Sequence, residues 1–167
     1  VLRVITRILA NHEDIMSAKI KLAIERELEN ILPPTQAGDF NQKELEALVD
    51  TDERNNLIVK EYIQRASGRQ FIAFCVNINH AQRLADAFNE AGVSTSFVVG
   101  EKEVCPDRKE RIDDFMNGEY VGLTNVNILT AGFDYPEVSC IIMARPTQSK
   151  TLFMQAIGRG TRLKKGK

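Results

Sequence analysis

From Gln70 onward the chain alternates two kinds of hydrophobic spacing. Phe71-Ile72-Ala73-Phe74-Cys75-Val76 is a short, continuous apolar run, the pattern of a strand buried on both faces. Over residues 80–91 the apolar positions Ala81, Leu84, Ala85 and Phe88 recur at helical spacing, and Gly92 stops that helix. Residues 93–99 predict the next strand. Pro106 suits the first turn of a helix that reaches Met116 and closes at Asn117-Gly118. Residues 120–124 and 138–144 predict two further apolar strands, and Ser149 caps a last helix over roughly 150–158. Strands alternating with helices of this length predict a parallel sheet with helices on both faces, an α/β fold. In such sheets the working residues sit at the carboxyl ends of the strands.

Before Gln70 the pattern is helical. Residues 13–30 place Ile15, Ala18, Ile20, Leu22, Ala23, Ile24 and Leu28 among charges, and Pro33-Pro34 closes the segment. Asn41 followed by Glu44 forms a capping box for a helix with Leu45 and Leu48. A helix over about 53–66 carries Leu57, Ile58, Tyr62 and Ile63 and ends near Gly68. The division expected is a helical lead-in or linker over 1–66 and an α/β domain over 67–167. The start at Val1 and the basic end, Lys164-Lys165-Gly166-Lys167, lead us to expect cuts in a longer protein.

Composition narrows the class. A 43% hydrophobic and 27% charged content is that of an ordinary globular domain. No apolar run approaches the roughly 18 residues of a membrane span, and the first residues lack a secretory pattern, so no membrane partner is expected. Cys75, Cys105 and Cys140 form no Cys-x-x-Cys pair and imply reduced thiols in an intracellular, cytoplasmic setting. His12 and His80 are far apart, and no metal site is expected. The net charge of −1 does not by itself point to nucleic acid, because phosphate-binding modules are usually basic.

The chemistry concentrates between Leu123 and Leu163. Asp134 follows Gly132-Phe133 just beyond a strand, where a carboxylate suits a ribose hydroxyl; the alternative is a surface turn. Arg159 and Arg162 share one face of a helical turn, with Gly158 and Gly160 keeping their surroundings thin. Two guanidiniums on an open ridge suit a phosphoryl group in transfer; the alternative is a solvated helix end.

The order of these segments resembles the C-terminal RecA-like domain of superfamily-two helicases. Phe71-Ile72-Ala73-Phe74 with Asn77 and His80 resembles motif IV, and Leu123-Thr124-Asn125 through Gly132-Phe133-Asp134 resembles motif V. Gln155-x-x-Gly158-Arg159-x-x-Arg162 resembles motif VI, the most specific of the three. The connecting helix with Arg108, Arg111, Phe115 and Gly118 is also similar to that family's. The resemblance is strongest over 70–167 and extends more weakly to Gly38-Asp39-Phe40. Arg145-Pro146-Thr147 with Ser149 is nearer to DNA-repair and restriction-type translocases than to DEAD-box RNA helicases.

The resemblance implies a role for each matching residue. Arg159 and Arg162 would reach the γ-phosphate of ATP held on a partner domain, with Gln155 positioning that motif. Gly132 and Asp134 would lie by the nucleotide ribose, and Thr124 and Asn125, with Asn77, would face single- or double-stranded nucleic acid, DNA before RNA. No Gly-x-x-x-x-Gly-Lys-Ser/Thr loop occurs, and Asp52-Glu53 falls in a charged helical stretch with no phosphate loop upstream. The expectation is therefore half of an ATPase, inactive alone. An N-terminal RecA-like domain of the same polypeptide would supply the ATP site and its Mg²⁺. The alternative is a non-enzymatic α/β module that binds nucleic acid or protein.

Overall fold

The computed structural model describes residues 8–9, 49–126, 128–129, 135, 137–145 and 155. Its elements follow the spacing of the sequence: β1 (Ile8–Leu9), α1 (Asp52–Ala66), β2 (Phe71–Phe74), α2 (Ile78–Glu90), β3 (Thr95–Val98), α3 (Arg108–Asn117), β4 (Gly122–Asn125) and β5 (Cys140–Met143). The strands form one sheet in the order β1-β5-β2-β4-β3. The last four are mutually parallel, as the alternation of strands and helices requires.

Because side chains alternate across a strand, the apolar run of β2 supplies both faces. Phe71, Ala73 and Cys75 enter a core with Ile58, Val59 and Tyr62 of α1 and Leu84 and Phe88 of α2. Ile72 and Phe74 enter the opposite core, with Phe115 of α3, Val98, Leu123 and Ile141. Helices thus cover both faces of a RecA-like sheet. Phe71, Tyr62 and Phe88 form an aromatic triangle, with ring centroids 4.7, 5.5 and 4.6 Å apart.

Two details differ from the sequence reading. Ile8–Leu9, inside the expected helical lead-in, is a strand that pairs antiparallel with β5. Pro106 precedes α3 instead of opening it; the helix begins at Arg108, with Asp107 as its cap residue. Gly118 does close α3, at φ 87°, where a side chain would be strained. The buried stripe of α1 runs through Arg54, Asn55, Ile58, Val59, Tyr62 and Ala66, whereas Leu57 and Ile63 are exposed. The helices expected over 13–30 and after Asn41 lie outside the described residues, apart from helical Val49. So does the last helix, apart from Gln155, which is helical and exposed.

Candidate functional site

The carboxyl ends of β2, β4 and β5 meet at one edge of the sheet. Cys75 N donates to Asn125 O at 2.9 Å, and Arg145 N donates to Phe74 O at 3.0 Å. These bonds hold the three exits side by side: Asn77 after β2, Asn125 at the end of β4, and Ala144-Arg145 after β5.

At the first exit Asn77 caps α2, its Oδ1 accepting from His80 N at 2.8 Å. The same turn is tied from inside, because Val76 N donates to His80 Nδ1 at 3.3 Å. His80 is fully buried and its Nε2 has no hydrogen-bond partner. Since Nδ1 accepts, the neutral ring carries its proton on Nε2.

Burial holds His80 down to about 4 from its ordinary value of 6.5. Asp50 opposes that shift, and the charges of Arg54 and Arg83 add to it. The sign follows from linkage. As pH falls through about 6.5 the unfolded chain takes up a proton that the folded chain refuses until about 4, so stability is lost on acidification. Between pH 7 and 5 this single group should cost about 2 kcal/mol. Urea unfolding of the wild type and of His80→Gln at both pH values checks it. The wild type should lose more stability; equal losses would mean that His80 titrates normally.

At Thr124 and Asn125 the structure differs from the sequence reading. Both are fully buried. Thr124 Oγ1 donates to Ala81 O at 2.7 Å, fastening β4 to the first turn of α2. Asn125 Nδ2 donates to Ala73 O at 3.0 Å, and its Oδ1 accepts from Leu129 N at 3.5 Å. The reason is the place of β4, between β2 and β3 with both faces covered. These polar side chains serve neighbouring backbone and do not face outward. Asn125 thereby ties the start of the segment that runs toward Gly132 and Asp134 to the central strand. Gly132, Asp134, Arg159 and Arg162 lie outside the described residues.

A second polar group adjoins this edge, and the sequence reading missed it. Arg54, on the buried face of α1, donates from Nη2 to Ala144 O at 3.3 Å. Arg83 of α2 pairs with Asp50 at 3.1 Å and also with Asp52, and Asn55 Nδ2 donates to Asp50 Oδ1 at 3.1 Å. Asp52 and Glu53 are both exposed, in the first turn of α1. The signal for Arg54 was its spacing, since it lies four and eight residues before Ile58 and Tyr62 on one helical stripe.

A cleft of about 470 Å³ lies elsewhere, between α2, α3 and the edge strand β3. Asp86, Asp107, Glu110 and Asp114 line it, and Arg111 there is already paired with Asp107 at 2.9 Å. That lining repels a polyphosphate, so this cleft does not fit ATP.

Residues 53–164 match the model of the helicase conserved C-terminal domain. The chain belongs to this family. It is similar to IRC3 of Saccharomyces cerevisiae, whose name describes an ATP-dependent helicase, at 36% identity over 143 residues; the match covers 84% of the chain and 20% of that protein. It is also similar to the type I restriction enzyme EcoAI endonuclease subunit of Escherichia coli, at 29% identity over 139 residues, 74% of the chain and 17% of the subunit. The chain thus spans about a fifth of the length of these relatives. Among solved structures, S. cerevisiae Dbp5 bound to RNA and ADP BeF3 shares the fold, with TM-score 0.54 and 23% identity over 66% of this chain and 29% of that one. The family match takes in α1 from its second residue and strands β2 to β5, but not β1. Among the described residues no helix is long and apolar enough to cross a membrane.

Proposed function

We propose that this domain is the second motor domain of an ATP-dependent helicase or translocase that moves on DNA. The observation that carries the reading is the sequence Gln155-x-x-Gly158-Arg159-x-x-Arg162 inside the family match. Arg159 and Arg162 stabilise the charge that develops on the γ-phosphate, and Gln155 positions them. Gly132 and Asp134 lie by the ribose and sense its position. A first motor domain of the same polypeptide holds the nucleotide and its Mg²⁺, because these 167 residues contain no Gly-x-x-x-x-Gly-Lys-Ser/Thr loop. When bound there, ATP supplies the free energy that opens and closes the cleft between the two domains.

Nucleic acid lies along the carboxyl edge of the sheet. Asn77 and the backbone at the strand exits meet it, while Thr124 and Asn125 act from below as struts. Contact through amides and hydroxyls is compatible with a domain near charge neutrality. The preference for DNA rests on the restriction-type relative. ATP hydrolysis by the full-length protein should rise more with single- or double-stranded DNA than with RNA of matched length. A larger response to RNA would reverse the choice of track.

A further inference from the structure

Arg54 stands in the wrong place for an arginine. It continues the buried stripe of α1 toward its N-terminus, and only 7% of it is exposed. Its Nη2 makes the single long bond to Ala144 O, at 3.3 Å. Its Nε and Nη1 are buried with no hydrogen-bond partner, as is Nε2 of neighbouring His80. Desolvation lowers the guanidinium to about 10, so it remains a cation at neutral pH. A buried cation with most of its donors unused opposes folding, and an apolar side chain of similar length would pack the same space without that penalty. Such a group calls for a reason other than stability.

The bond it does make supplies one. Ala144 is the first residue beyond β5, and Arg145 next to it is fixed by its N–H to Phe74 O. From this point the chain continues to Gln155, Arg159 and Arg162. The opposite flank of the same helical turn is held to α2, through Arg83 with Asp50 and Asp52. The first turn of α1 is therefore fastened on one side to α2 and on the other to the exit of β5.

We propose that Arg54 is a positioning residue for the arginine-bearing segment, retained in the core because its grip on the Ala144 carbonyl sets where the chain leaves the sheet. This rests on the reading that Arg159 and Arg162 act on ATP held by a partner domain. A shift of about an ångström in a group acting at a phosphoryl-transfer centre costs on the order of 10- to 100-fold in rate.

The test uses the full-length protein with Arg54→Met, Arg54→Lys and, as a reference, Arg159→Ala. Arg54→Met should unfold on heating at or above the wild-type midpoint. It should nevertheless lose on the order of 10- to 100-fold in nucleic-acid-stimulated kcat, with KM for ATP nearly unchanged. Arg54→Lys, which can still donate to a carbonyl, should regain part of that loss. Wild-type kcat in Arg54→Met, a loss carried by KM, or a loss that tracks a fall in the unfolding midpoint would each overturn the proposal. The reference separates the two ideas. If Arg159→Ala is inactive while Arg54→Met is normal, only the positioning role falls; if Arg159→Ala turns over normally, the underlying reading falls with it.

Discussion

Arg159→Ala in the full-length protein is expected to lower nucleic-acid-stimulated kcat by about 10³- to 10⁵-fold, the range for arginine fingers. That is a loss of about 4–7 kcal/mol of transition-state stabilisation. In the proposed arrangement the phosphates, ribose and Mg²⁺ are held mainly by the other motor domain, so ATP affinity should change far less than turnover. Arg159→Lys should recover little, because a point charge on a flexible stem does not reproduce the planar fork of a guanidinium. Steady-state kcat at saturating nucleic acid, beside direct binding of a fluorescent ATP analogue, checks both halves. Wild-type turnover, or equal losses in binding and turnover, would contradict the assignment.

The second large effect is on folding. Phe71 is fully buried, lies in the central strand, and packs against Tyr62 and Phe88 at ring-centroid distances of 4.7 and 4.6 Å. Phe71→Ala should destabilise the domain by about 3–5 kcal/mol, through lost burial and the cavity left behind. For a domain of this size that is a large share of total stability. The ring also lies over Gly122, its register partner on β4. A Cβ at position 122 would overlap Phe71 Cζ and crowd Thr95 Oγ1 at 2.7 Å. Gly122→Ala should therefore cost about 1–3 kcal/mol by overpacking. The two changes should be non-additive, since the smaller residue at 71 makes room for the methyl group at 122. Urea unfolding of the single and double variants measures the coupling; strict additivity would mean that the ring and the glycine do not share that space.

The parts of the fold that were legible in the sequence are those governed by local periodicity. The run 71–76 could be read as a two-faced strand because no polar residue interrupts it, and α2 because Ala81, Leu84, Ala85 and Phe88 share one face. Pairing across the sheet leaves no such trace. Nothing in Ile8–Leu9 specifies antiparallel pairing with β5, and two residues are too few to show a period. The buried stripe of α1 is not fixed by residue type, for a related reason. Leu57 and Ile63 fit an apolar face by type, yet the buried face is the one that contains Arg54 and Asn55. That face carries Ile58, Val59, Tyr62 and Ala66 into the core beside the sheet, and Arg54 goes with them to the Ala144 carbonyl.

The same limit applies at the functional edge. Motif order located Asn77, Thr124 and Asn125 at strand ends, where the structure places them. Whether a polar side chain there faces outward or serves the backbone beneath it depends on the neighbours of β4. Threonine and asparagine do either, so their identity could not settle it. Arg54 was hidden by the opposite bias, since an arginine in a charged helix reads as solvated until its neighbours are known.

The measurement that tests the account most directly is ATP hydrolysis by the full-length protein and by this 167-residue chain alone, each with and without single-stranded DNA and RNA. The full-length protein should show stimulated hydrolysis and the chain alone none. Hydrolysis by the isolated chain would contradict this, because the phosphate-binding half of the site would then have to lie within these residues.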